Sequence, residues 1–437
     1  MLRQFASMVA SGCRRSDAQL SRVRSLDVYL GDELVAEVGT PRSGKMTLAY
    51  KSDVIDRVGI GGFVLSAALP ARVERYSPTE ATSFLDGLLP LGWARAGLEQ
   101  RFDVHRVDSF SLLAAVGREC AGAVSFVPSG DPWPTDSSPL AKLDDSEITS
   151  RLTSLDVNPF GVDDATRVTL AGTCWKLPLC LMADGGWASP VAGMSSTHIF
   201  RPEPPDFVSL ATTEAYSLAV LRLAGISVVH AEVATIVDRS VLVVTRFDRE
   251  IAPDGAVIGI HQEDCSQALG AATNERTERD GGPSLSEIAD LVRDMSASPE
   301  VDLIQLLSWL VACVVFGKVD GTATDLALTY RSTDDFVVEC RLAPVASMAG
   351  TADYPNQPTQ LAMSIGGIDE LSRIRRRHLE AEAVSWGMPH SVATDVMDDL
   401  LEQLHECLDT ARRDTDPGDD VVAACRARLS DLMTSSS

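Results

Sequence analysis

The sequence predicts an α+β protein in which a mixed β region is followed by a mainly helical one. Three observations carry this. Leu26 to Val38 alternates apolar and polar residues around Gly31-Asp32, the period of a half-buried β-hairpin. Short strand-like runs surround a single helical stretch between 165 and 250. From 283 onward the apolar spacing is helical, over 284–294, 301–316, 369–386 and 390–412.

Along the chain, residues 1–24 carry five arginines without a continuous apolar core, which reads as a disordered leader rather than a secretory signal. A first domain is expected over 25–127, with helices from Thr79 to Leu89 and from Ser109 to Val116. Residues 128–150 open with PSGDPWPTDSSP, and this Pro, Ser, Asp and Gly content marks a linker. A β-rich lobe is expected over 151–250. Its strands are Thr166–Leu170, Lys176–Met182, Ser196–Phe200, Glu232–Ile236 and Val241–Arg246, and its helix is Ala211–Ala224. The helical lobe, 251–437, is interrupted by a hairpin over 326–342. A β lobe, a helical lobe and a hairpin near their junction form the layout of a kinase-like fold.

Composition narrows the function. A formal charge of −24 disfavours direct DNA binding, because phosphate contacts need clustered Lys and Arg. The nine cysteines are scattered without a C-x-x-C pair, which argues against zinc and disulfides and for a reducing cytoplasm. The seven histidines form no metal-binding pair, so metal-dependent hydrolysis is disfavoured. No apolar run approaches the length of a membrane span.

The ordered segments include LDVYLGDELVAEVG, FLDGLLPLG, FSLLAAVGRECAGAVSFVP, RVTLAGTCWK, STHIFRP, TTEAYSLAVLRLAGISVVHAEV, VVTRFDRE, HQEDCSQALG and LIQLLSWLVACVVFGKVDGTATDLAL. In order and spacing they resemble the HipA family of serine/threonine kinase toxins. The resemblance covers about residues 25–430. It implies a HipA-like N-terminal subdomain, a β-rich kinase N-lobe and a helical C-lobe. It also implies transfer of the ATP γ-phosphate to a protein Ser or Thr with Mg2+, and a HipB-like DNA-binding antitoxin through which DNA is reached. A homodimer is compatible with it.

Carried over residue by residue, the resemblance assigns Thr169 to Lys176 to the phosphate loop. Ala171 and Gly172 are its small residues, Lys176 ends it, and Thr169 takes the position of the self-phosphorylated serine. Arg201 stands at the ATP-contacting lysine, with Glu214 as its acidic partner. Thr245 and Phe247 fall where the adenine is held. Asp320 matches the catalytic aspartate of G-x-x-D-x-H-x-x-N. Thr322 replaces its histidine and Asp325 its metal-binding asparagine. Ser347 replaces the second metal-binding aspartate in Leu342–Ser347, LAPVAS. Asp334 and Asp335 lie nearby in sequence, but at the expected hairpin tip they should point away from the cleft and read as a solvated turn. His261 and the pair Glu263-Asp264 are read as structural.

Two functions therefore compete. One is an active kinase with Asp320 as base and Asp325 on the metal. The other is a pseudokinase, a nucleotide- or protein-binding module favoured by the altered positions 201, 322, 325 and 347.

Overall fold

The computed structural model describes residues 23–40, 45–106, 108–133, 142–163, 165–191, 195–236, 239–252, 255–332 and 338–434. Nearly all of the expected leader, and both Asp334 and Asp335, lie outside the described residues. The chain is α+β and forms two compact units. One comprises Met1–Ile199 with Asp248–His261, the other Phe200–Phe247 with Gln262–Ser437. These borders cut across the segment 151–250 that sequence patterning grouped together. The chain passes from the first unit to the second within the strand His198–Pro202.

In the first unit the expected hairpin forms from Ser25–Leu30 and Glu33–Gly39, with Gly31 in the left-handed region at φ 64°. That angle suits glycine because no Cβ opposes it. Thr47–Tyr50 and Val124–Pro128 complete an antiparallel sheet of order third, second, first, fourth in chain sequence. Alternation places Leu26, Val28, Val38, Leu48 and Phe126 in one core with Phe84 and Leu113. Two of the surrounding helices start where their caps dictate. Ser77 and Glu80 form a capping box before Pro78–Gly87, and the Asp108 carboxylate accepts from the Ser111 N–H at 3.0 Å before Ser109–Val116. The helix Asp145–Thr153 begins inside the expected linker and runs past its end at 150, started by an Asp144–Glu147 capping box that the surrounding Ser and Pro content obscured. Leu177–Leu181, Trp187–Ala188 and Lys142–Leu143 pair antiparallel. Thr166–Leu170, expected as a strand, instead makes a single bridge, Val168 to Glu119.

This unit also explains the two segments GRECAGAV and RFDRE. The Asp248 carboxylate accepts the Gly122 N–H at 2.7 Å, and Arg249 donates to the Gly122 carbonyl at 2.8 Å and to Glu119 at 3.3 Å. Glu119 in turn accepts from the Ser196 N–H and hydroxyl at 2.8 and 2.6 Å. Buried charges persist only when paired and hydrogen-bonded, so these residues lock three distant stretches of chain together.

His261 is a core residue here, its Nε2–H donating to the Leu65 carbonyl at 2.8 Å. Burial depresses its pKa to about 4, against the opposing influence of that bond and of Asp248. The folded form holds the ring neutral while the unfolded form protonates near 6.5. Stability from this group is thus present above pH 6.5 and lost as pH falls towards 4, by about 3 kcal/mol in total. Urea midpoints measured across that window are expected to fall more steeply for the natural chain than for His261→Gln. Equal slopes would contradict the assignment.

In the second unit, Ala231–Ile236 and Arg239–Thr245 pair antiparallel, as expected for 232–236 and 241–246. The helix Leu210–Leu223 packs along His390–Thr415, and the Tyr216 hydroxyl donates to the Leu408 carbonyl at 3.3 Å. Leu285–Met295 begins at a Ser284–Glu287 capping box. Pro299–Phe316 is long and apolar enough to cross a membrane, which corrects the expectation that no run was. It is a core helix, with Trp309, Leu306 and Val311 fully buried. Ala327–Ser332 and Val338–Leu342 form the expected hairpin. The predicted helix over 369–386 is confined to Arg376–Ser385, because Ile368–Glu370 pairs with Gln360–Ile365 as a strand. Asp419–Thr434 adds a last helix that the periodicity reading missed.

Candidate functional site

The sequence-predicted residues divide between the units. Thr169, Ala171, Gly172 and Lys176 belong to the first, and Arg201, Glu214, Thr245, Phe247, Asp320, Asp325 and Ser347 to the second.

The loop of the first unit is tied closely to its surroundings. Thr169 is fully buried, its N–H donating to the Glu119 carbonyl at 2.9 Å and its hydroxyl to the Leu88 carbonyl at 3.1 Å. The hydroxyl expected as a self-modified group is therefore enclosed. Gly172 turns the chain at φ 95°, the Leu91 N–H donates to its carbonyl at 3.1 Å, and Lys176 bends back to donate to the Ala171 carbonyl. Trp93 donates to the Thr173 carbonyl at 2.9 Å and meets Trp175 edge-on.

In the second unit, Arg201 and Glu214 form the expected pair, bidentate at 3.0 and 2.8 Å. The strand end supplies the guanidinium and the first turns of Leu210–Leu223 supply the carboxylate, which is buried. Glu214 has two further donors that the sequence did not announce, the Ser347 hydroxyl at 2.7 Å and the Met348 N–H at 3.2 Å. Ser347 thus faces a carboxylate as a donor, opposite in role to a carboxylate holding a metal. Thr245 ends the strand Arg239–Thr245, and Phe247 lies just beyond it. The Thr245 N–H donates to the His230 carbonyl at 2.9 Å, and the Phe247 ring is half-buried.

The loop Gly317–Asp325 begins where Gly317, at φ 72°, ends the core helix. Asp320 projects outward, with 62% of its side chain exposed. Asp325 turns inward. One of its oxygens accepts the Thr322 N–H at 2.9 Å, closing a short turn over Ala323–Asp325, so the replaced positions 322 and 325 now cap each other. Its other oxygen lies 3.0 Å from the ammonium of Lys318, which also stands 3.3 Å from Asp320. Lys318 is buried, which opposes its charge. The carboxylates of Asp325 and Asp320 outweigh that burial and push its pKa well above the usual lysine value. Lys318 was missed in the sequence because a lysine beside a glycine reads as a solvated loop charge. Its one signal was a cation two residues before Asp320.

Magnesium tests this donor set, since it demands hard oxygens in near-octahedral array. Asp325 is engaged on both oxygens, Ser347 is neutral and donates to Glu214, and among the described residues no group of three or more His, Cys, Asp or Glu is placed to hold a metal. The residues present do not fit Mg2+.

A cation–carboxylate pair on a strand and the helix after it, and an aspartate-bearing loop after a core helix, are consistent with the kinase-like layout expected above. Two family models match, the HipA N-terminal domain over residues 26–127 and the HipA-like C-terminal domain over 168–408. The chain is 32% identical over 350 residues to a Sinorhizobium fredii protein named "Putative kinase Y4mE", covering 79% of this chain and 81% of that one. It is 24% identical over 388 residues to the serine/threonine-protein kinase toxin HipA of Shewanella oneidensis, covering 85% and 86%. Its fold resembles a chain from the Shewanella oneidensis MR-1 complex of HipA, HipB and operator DNA, with a TM-score of 0.80 and 21% identity, covering 93% of this chain and 97% of that one. The chain belongs to the HipA family.

Proposed function

We propose that this chain is a HipA-fold binding module in which metal-assisted phosphoryl transfer is impaired, and that it engages a HipB-like DNA-binding partner. One observation carries the reading: the Ser347 hydroxyl donates to Glu214 at 2.7 Å, at the position where the family resemblance implies a second metal-binding carboxylate. Phosphoryl transfer depends on cations that absorb phosphate charge, and a hydroxyl committed to a neighbouring carboxylate supplies none of that. The partner follows from charge. A chain at −24 reaches DNA through a basic protein, and a relative of the same fold occurs in a complex with HipB and operator DNA.

The competing reading, an active kinase, draws on Asp320, which is present and exposed. Calorimetric titration with ATP, with and without Mg2+, separates the two. The binding-module reading expects Mg2+ to change the ATP dissociation constant by less than about twofold, well under 1 kcal/mol. Tightening by about tenfold or more would contradict it.

A further inference from the structure

The loop Gly317–Asp325 contains a cation of its own. The Lys318 ammonium lies 3.0 Å from Asp325 and 3.3 Å from Asp320, the two residues that the family resemblance assigns to metal binding and catalysis. Its position is built in. Gly317 reverses the chain at the helix end, the Lys318 N–H donates to the Cys313 carbonyl at 2.8 Å, and only 3% of the side chain reaches solvent. Asp325 is fixed from the other side by the Thr322 N–H.

We infer that Lys318 is a resident cation that takes the place of a divalent ion at Asp325 and excludes such ions from this loop. A divalent ion coordinated by Asp325 would share that carboxylate with an ammonium already at contact distance. Two cations at such separation repel strongly where little water screens them. The ammonium is also covalently attached, so it holds a high effective concentration at Asp325 that free metal must exceed. Lys318 is in this sense a specificity-determining residue, acting on which cation the carboxylates accept. The inference rests on the reading above only in taking Asp325 as the family's metal position.

The test uses Mn2+ alone, without nucleotide, titrated into the full chain by calorimetry and followed by water-proton relaxation. The natural chain is expected to show no saturable Mn2+ binding. Lys318→Met keeps the length and apolar stem but removes the charge. It is expected to bind Mn2+ at least about tenfold more tightly, and adding Asp325→Asn should abolish that gain. Lys318→Arg should behave as the natural chain. Circular dichroism checks that each variant is folded, and Lys318→Gln replaces Lys318→Met if the latter is not. Saturable Mn2+ binding by the natural chain that Asp325→Asn removes would overturn the inference by itself. So would a folded charge-removed variant without the gain, or a gain that survives Asp325→Asn. Because no ATP is present, a chain that transfers phosphate yet excludes Mn2+ would overturn only the proposed function. An inert chain that binds Mn2+ through Asp325 would overturn only the role of Lys318.

Discussion

Glu214→Ala is expected to destabilise the chain by about 3–5 kcal/mol, the usual cost of removing one partner from a buried ion pair. The carboxylate is nearly inaccessible and serves the two arms of Arg201, the Ser347 hydroxyl and the Met348 N–H. Its loss removes the carboxylate to which both arms of a largely enclosed guanidinium donate. Glu214→Gln should cost less, because an amide oxygen still accepts from Ser347 while the charge is gone. Urea unfolding of both variants checks the order. A Glu214→Ala midpoint equal to that of the natural chain would show that the Arg201–Glu214–Ser347 cluster is not formed.

Asp302→Ala is expected to cost about 3 kcal/mol, the scale of losing hydrogen bonds to a charged acceptor. Asp302 is fully buried in the core helix and accepts from the Leu342 N–H at 2.8 Å, the Ser296 hydroxyl at 2.6 Å and the Arg341 guanidinium at 2.8 Å. Arg341 is 36% exposed and can turn to water, so the cost falls mainly on the buried Leu342 N–H and the half-buried Ser296 hydroxyl. The bonds hold the strand Val338–Leu342 against the helix that ends at Gly317. Amide exchange in residues 338–348 should therefore accelerate together with the loss of stability. Loss of stability without faster exchange there would place the defect elsewhere.

The architecture was legible where periodicity is strong. The hairpin at 26–38, the helices at 109–116 and 301–316 and the hairpin at 326–342 all follow from spacing alone. The misses have local causes. Asp144 and Glu147 start a helix inside a stretch whose serines and prolines suggested only linker, and Val168 sits in a core without a strand around it. At the site, the pairing of Arg201 with Glu214 was readable from the resemblance. The roles of Ser347 and Lys318 were not, because both depend on what the side chain meets across the fold. Ser347 finds its partner 133 residues away in sequence.

That geometry also bears on whether substitutions at 347 and 325 can build a metal site. A carboxylate placed at 347 would lie against Glu214, and Asp325→Asn would take a counter-charge from Lys318. The pair Ser347→Asp with Asp325→Asn is therefore expected to show no saturable Mn2+ binding by calorimetry, and binding by that pair would contradict the account.

Mass spectrometry of the full chain after incubation with ATP and Mg2+ examines phosphoryl transfer itself. A metal site occupied by the chain's own groups predicts no added phosphate, on Thr169 or elsewhere, in the natural chain and in Asp320→Ala alike. Phosphate present on the natural chain and absent from Asp320→Ala would contradict it.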